Sequence, residues 1–263
     1  MKRLAAAPFR QRLIAGERLV GVFVKTPAPQ VVEILAAAGF DFVVIDAEHA
    51  PFDRTSTDLA ILAASASNVE AIVRTPSCDP VVLSASLDDG AAGILAPHVD
   101  SAATARQVAA ACRYSQGRGY SNSPRGGGYG SRSLWDHVAH ADAAAAVIAM
   151  IEDPKAVKDI DDILAVDGID AVFVGRADLT LAMDDRTADS RHANAAARAV
   201  LSAARRAGKP ACIHVGAPAE AGAWLDAGAD VIIISSDQSL MKSAALSALE
   251  TFATFVRADK AQG

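Results

Sequence analysis

An α/β fold, a single (β/α)8 barrel over residues 1–263, is what this sequence predicts, on three observations. First, a phrase made of a glycine, an acidic or small residue and a β-branched run recurs at 39–46, 90–97, 168–175 and 228–235. Second, each run follows an alanine-rich stretch of helical spacing and lacks polar alternation, the pattern of parallel strands buried on both faces. Third, 263 residues suit one barrel, since such barrels routinely run to about 250 residues.

The elements follow in order. The opening MKRLAAAPFRQRLIAGERLV begins with Lys2 and Arg3, but Pro8, Arg10 and Arg12 break its apolar stretch. It reads as an amphipathic helix and not as a signal peptide. Strand one spans 19–24 and is followed by a helix at 29–38; strand two, within 39–46, is followed by a helix at 55–67. Strand three (70–74) precedes a helix at 80–87, and strand four, within 90–97, precedes one at 102–113. Strands at 146–152 and 168–175 come with helices at 155–165 and 193–207, and strands at 210–215 and 228–235 with helices at 220–226 and 240–256. Eight strand–helix units in about 240 residues are the arithmetic of the barrel. An open doubly wound sheet is the alternative, yet Lys25-Thr26-Pro27 after strand one is no glycine-rich dinucleotide fingerprint. Two stretches are irregular: the glycine-rich 117–130, read as a loop and not as a phosphate cradle, and the polar 183–191.

Composition excludes several functions. With 51% hydrophobic and 21% charged residues the chain has a globular composition. A net charge of -6 argues against nucleic acid or an anionic membrane as partner. No apolar run approaches the about 20 residues that a membrane span needs. Cys78, Cys112 and Cys212 lack the spacing of a disulfide framework or a zinc site. A cytoplasmic protein is expected.

Barrel chemistry sits at the C-terminal ends of strands, and polar residues gather there. Strand two ends in Asp46-Ala47-Glu48-His49, strand three in Arg74 and strand five in Glu152. Strand six runs into Gly175-Arg176-Ala177-Asp178, and strand seven carries His214. Charges emerging from buried strands are costly unless they share a polar cavity. Glu152 and Asp178 lie on neighbouring strands, and two carboxylates without cysteine or paired histidine suit a hard divalent cation such as Mg²⁺ or Mn²⁺. The competing reading makes Asp178 the cap of a helix beginning at Leu179 and Glu152 the partner of a lysine. His49 reads equally as a loop histidine.

The segments DFVVIDAEHAPFD, VRTPSCDP, LDDGAAGILAPHVDSAATA, IEDPKAV and GIDAVFVGRADLT resemble the HpcH/HpaI aldolase family, class II pyruvate aldolases related to citrate lyase β subunits. The resemblance covers nearly the whole chain in order. It implies a (β/α)8 barrel whose last helix is exchanged between subunits of a homo-oligomer, commonly a hexamer built of trimers. By the same resemblance Glu152 and Asp178 are the metal ligands, for Mg²⁺ or Mn²⁺ with Co²⁺ as a further candidate. His49 is the base acting through a water, and Arg74 stabilises the enolate oxygen. Asp88 reaches a neighbouring subunit's site and assists its histidine. Backbone groups around Gly175, Ala177 and Asp178 hold the substrate carboxylate. Three positions depart from the pattern: Met150 replaces a glutamine of some members, Arg176 a frequent proline, and His214 with Ser236 stand at pocket positions that are apolar in better-known pyruvate aldolases.

The implied reaction polarises a 2-oxo acid through the metal, removes a C3 proton and adds the enolate to an aldehyde, or runs in reverse on a 4-hydroxy-2-oxo acid. The polar His214 and Ser236 extend the expected donors from pyruvate to hydroxypyruvate. A Schiff-base mechanism needs a lysine inside the barrel, and only Lys25 stands near a productive strand end. A CoA-ester lyase of the citrate lyase type is the nearer alternative; Asp-x-Glu-His at strand two favours the free-acid aldolase. A noncatalytic barrel would more naturally have lost one of His49, Arg74, Glu152 or Asp178.

Overall fold

The computed structural model describes residues 7–260. Eight parallel strands close in sequence order: β1 (Leu19–Val24), β2 (Phe42–Asp46), β3 (Glu70–Arg74), β4 (Gly93–Ala96), β5 (Ala146–Ile151), β6 (Ala171–Val174), β7 (Ala211–Val215) and β8 (Val231–Ser236). The helices are α1 (Phe9–Ile14), α2 (Pro29–Ala38), α3 (Arg54–Ala66), α4 (Pro80–Asp88), α5 (Ala102–Cys112) and α6 (Leu134–Ala144). They continue with α7 (Pro154–Lys158), α8 (Ile160–Leu164), α9 (Arg176–Ala182), α10 (Arg191–Arg206), α11 (Ala221–Ala227) and α12 (Asp237–Lys260). All eight expected strands are present. Of the expected N-terminal helix only α1 falls within the described residues; positions 1–6 lie outside them.

Strand alternation makes two cores. On β2, Phe42 and Val44 face the barrel axis with Ile72, Leu95, Ile148, Phe173, Cys212 and Ile233. Val43 and Ile45 face outward onto the α2 and α3 layer with Val32 and Ile61. This double burial is why the strands read as unbroken apolar runs. Phe9 and Leu13 of α1 close the N-terminal end of the interior, and the Phe9 and Phe42 ring centroids are 4.9 Å apart. Gly21 on β1 faces the Phe42 ring, which fills the space a Cβ would need. Gly39 and Gly228 end α2 and α11 in the left-handed conformation (φ 100° and 110°), which a side chain disfavours.

A buried ion pair ties the same rim together. Asp170, just before β6, accepts from Arg113 Nη2 at 2.6 Å, Arg10 Nη2 at 2.8 Å and the Val147 N–H at 2.9 Å.

Four local expectations are corrected. Helix α6 was not expected between 114 and 145; Ser133 caps it by accepting the Asp136 N–H and donating its hydroxyl to Asp136 Oδ2. The helix expected at 155–165 breaks at Asp159 into α7 and α8. A helix starting at Leu179 instead starts at Arg176 with Gly175 as N-cap, so Asp178 lies inside its first turn and does not cap it. Glu152 meets His98 and no lysine. The glycine-rich segment carries one short 3-10 turn at Arg125–Gly127, a second at Tyr114–Gln116 precedes it, and Gly126 approaches the Leu87 carbonyl too closely for any Cβ.

Candidate active site

A cavity of 940 Å³ opens at the C-terminal ends of the strands. His49, Arg74, Gly175, Ala177, Asp178, His214 and Ser236 all line it. These are seven of the nine positions singled out from sequence. Glu152 lies beneath this lining, against Gly175, and Asp88 stands elsewhere.

Arg74 is the best anchored group. At the end of β3 it points inward, beside its register partner Asp46 on β2. Its Nε donates to Asp46 Oδ1 at 3.0 Å and its Nη2 to Oδ2 at 2.7 Å, a buried bidentate pair. Burial works against the Asp46 carboxylate, but the Arg74 hydrogen bonds and charge, with Lys25 beyond them, hold it below the usual carboxylate range. The Arg74 guanidinium also sits 4.8 Å from the Phe23 ring centroid. Such a group keeps one orientation and needs no reorganisation when negative charge develops beside it. Lys25 Nζ is 3.4 Å from Asp46 Oδ2, so this cavity-lining lysine is an ion-pair partner.

His49 follows β2 with its ring exposed. Its backbone N–H donates to Asp46 Oδ1 at 3.1 Å, which ties the loop to the Arg74 pair. His49 Nε2 is 3.7 Å from Glu48 Oε2, too far for a hydrogen bond.

Glu152 is 2% exposed. Its Oε1 accepts the His98 N–H at 2.7 Å and lies 3.2 Å from His98 Nδ1; His98 holds a left-handed φ of 50° to do so. Burial pushes the Glu152 carboxyl up; His98 opposes this, while Asp178 and Glu48 add to it. Glu48 Oε2 is buried without a hydrogen-bond partner, although Arg74 Nε is 3.3 Å away. A buried carboxyl pushed up by two neighbouring acids is what a cation would relieve. A Cβ on Gly175 would stand 2.7 Å from Glu152 Cβ and 3.1 Å from its Oε2, so only a glycine lets the backbone pack this closely against that carboxylate. Among the described residues no group of three or more His, Cys, Asp or Glu side chains could hold a metal by itself. Two carboxylates would need substrate oxygens and water to complete a cation's shell, an oxygen set of the kind Mg²⁺ or Mn²⁺ takes.

His214 and Ser236 face the same cavity. The His214 ring is half-buried, 5.7 Å from the Phe23 ring centroid. Burial, reinforced by Arg176, holds it below its ordinary range, so it stands neutral with one donor and one acceptor nitrogen. Asp88, at the C-terminal end of α4, pairs with Arg118 at 2.5 Å, away from the cavity of its own chain.

Asp46, Glu48 and His98 were not assigned roles from sequence. Asp46 and Glu48 carried a signal, since they alternate with hydrophobic positions on the inward face of a strand end. His98 carried none; only its fold neighbour Glu152 gives it meaning.

Comparisons with known proteins bear on the fold and the family. The HpcH/HpaI aldolase/citrate lyase family model matches residues 19–245. The chain is similar to the 5-keto-4-deoxy-D-glucarate aldolase of Klebsiella pneumoniae, 32% identical over 247 residues that cover 93% of this chain and 96% of that protein. It is likewise similar to the hydroxypyruvate/pyruvate aldolase of Paraburkholderia phytofirmans, 33% identical over 253 residues, 92% and 96% of the two chains. Among solved structures, an HpcH/HpaI aldolase/citrate lyase family protein from Burkholderia cenocepacia superposes with a TM-score of 0.87 at 30% identity, covering 93% of this chain and 98% of its own.

Proposed function

The chain belongs to the HpcH/HpaI aldolase/citrate lyase family, and from that premise we propose that its barrel mouth joins a pyruvate or hydroxypyruvate donor to an aldehyde, and cleaves 4-hydroxy-2-oxo acids in reverse. The enzyme is a carbon–carbon lyase of the aldolase type that works with a divalent metal. The observation that carries the assignment is the meeting of three things at one strand-end cavity: the buried Glu152 carboxylate beside Asp178, the fixed Arg74–Asp46 pair and His49.

Glu152 and Asp178 hold the cation in this reading, Mg²⁺ or Mn²⁺ by their oxygen chemistry and Co²⁺ as a further candidate. When bound, the cation supplies Lewis-acid polarisation of the donor's keto oxygen. Arg74 offers its cavity-facing side to the charge that builds on that oxygen as the C3 proton departs. His49 takes and returns that proton through a water, as an exposed imidazole on a tethered loop can. Backbone groups at Gly175, Ala177 and Asp178 orient the donor carboxylate. Exclusion of water falls to Phe23 and Phe173, which line the floor.

Residues 238–252 of α12 are exposed, Met241, Leu249 and Phe252 each by about two-thirds. A helix that leaves these three apolar residues off its own barrel supports exchange onto a second copy. Asp88 then serves a neighbouring subunit's His49 in a trimer or hexamer.

Donor activation is tested by deuterium uptake into the pyruvate methyl group. Exchange is expected with Mg²⁺ or Mn²⁺ and is abolished by chelation; exchange that survives exhaustive chelation contradicts the reading.

Donor choice is a second expected result. The neutral His214 and the Ser236 hydroxyl provide a donor and an acceptor for the hydroxyl that distinguishes hydroxypyruvate from pyruvate. One net hydrogen bond is worth about 0.5–1.5 kcal/mol. His214→Leu with Ser236→Val is therefore expected to lower the hydroxypyruvate-to-pyruvate ratio of kcat/KM by about tenfold. An unchanged ratio contradicts this role for the two side chains.

A further inference from the structure

The cavity volume of 940 Å³ lies near the top of the roughly 300–1,000 Å³ range of small-molecule pockets. A three-carbon donor between Arg74 and Asp178 leaves most of it free. That remaining space is bounded by Arg176, Thr180, Asp189, Ser190, Asn194 and Glu220, which come from α9, the start of α10, the loop before it and the turn ahead of α11. None of them takes part in donor activation.

These side chains form one wall. Arg176 Nη2 donates to Glu220 Oε2 at 2.9 Å and to the His214 carbonyl at 3.2 Å, while its Nη1 reaches Asn194 Oδ1 at 3.4 Å. Asn194 Nδ2 donates in turn to the Asp189 carbonyl at 2.6 Å. The Arg176 guanidinium rests 4.7 Å from the Trp224 ring centroid, and its Nε is buried with no partner. Asp185 fixes the loop behind the wall by accepting the N–H groups of Thr187, His192 and Ala193. Asp189 and Ser190 both hold positive φ, at 58° and 48°, a conformation that persists only where the surroundings enforce it. The wall is therefore a connected hydrogen-bonded surface.

Its charges decide what it fits. Arg176 contributes one positive group, and Asp189 with Glu220 two negative ones, so a carboxylate meets net repulsion. An apolar chain would strip these polar groups of solvent without replacing its hydrogen bonds. Hydroxyl groups both donate and accept, and they suit a surface that mixes carboxylate, amide, guanidinium and hydroxyl.

We propose that the Arg176–Asn194–Glu220 wall is the acceptor subsite and that it selects an uncharged aldehyde bearing hydroxyl groups. The inference rests on the aldolase reading above.

The test uses the metal-loaded enzyme with pyruvate as donor and three acceptors: glyceraldehyde, propanal without hydroxyls, and succinic semialdehyde with a carboxylate. In the unmodified enzyme kcat/KM for glyceraldehyde is expected to exceed both others by at least about tenfold. Glu220→Gln removes one negative charge and is expected to lower the ratio of glyceraldehyde to succinic semialdehyde by about tenfold. Asn194→Ala is expected to narrow the ratio of glyceraldehyde to propanal. Ratios within one variant do not depend on how much of it is folded. A parent enzyme that prefers propanal or succinic semialdehyde, or ratios that stay fixed in both variants, overturns the subsite. Pyruvate methyl exchange in the unmodified enzyme separates the two levels: no exchange sinks the aldolase reading, whereas exchange without hydroxyl preference sinks the subsite alone.

Discussion

Glu152→Gln is expected to lower kcat/KM for 4-hydroxy-2-oxo acid cleavage by at least about 10³-fold, equivalent to about 4 kcal/mol of transition-state stabilisation. The amide keeps the volume of the side chain, and its oxygen can still accept the His98 N–H that Glu152 now accepts at 2.7 Å. Only the negative charge is lost, so the far-ultraviolet circular dichroism and the unfolding midpoint should hardly move. Because burial, Asp178 and Glu48 push the Glu152 carboxyl up, the apoenzyme should tolerate the neutral amide well. Mn²⁺ affinity, read by calorimetry, is the second measurement and should fall in Glu152→Gln and in Asp178→Asn alike. Full turnover in either variant, or Mn²⁺ binding of parental strength, contradicts the assignment of these two ligands.

Asp170→Ala carries the largest expected effect on stability, a loss of about 3–5 kcal/mol in urea unfolding. The Arg113 side chain is 4% exposed, and its Nη2 lies 2.6 Å from Asp170 Oδ2. Removing the carboxylate strands that buried charge, leaves the Val147 N–H without its acceptor and frees Arg10 of α1. Position separates this pair from surface ones. Asp161 meets Arg206 at 3.2 Å with both side chains well exposed, and Asp161→Ala is expected to cost less than about 1 kcal/mol. Equal losses in the two variants would contradict the argument from burial.

Much of the site was legible because barrel geometry turns strand ends into a list of candidates. Arg74 and Glu152 each end or follow an apolar run, and a charge in that position has few places to go other than a shared cavity. Asp178 was legible as a ligand, but its place in the helix was not, because one residue of offset in α9 separates a cap from a first-turn position. Helix α6 was missed although Ser133 and Asp136 carry the spacing of a capping box, masked by the glycines before them. Arg176 was visible only as a departure from a pattern. Its meaning came from Trp224, Glu220 and Asn194, which lie 18 to 48 positions further along the chain.

The sequence by itself determined the eight strands, their order and the rim that carries the chemistry. It does so because strands buried on both faces must be written as unbroken β-branched runs, and because the next charged residue then marks the strand end. Tertiary structure alone decided which side chains meet. Asp46 takes both hydrogen bonds of Arg74, from 28 positions away, through the parallel register of β2 and β3. His98 covers Glu152 through a left-handed backbone, and α12 leaves Met241, Leu249 and Phe252 exposed. Local pattern records whether a residue is buried; its partner is set by register, rotamer and the path of distant loops, none of which is written in the neighbouring residues.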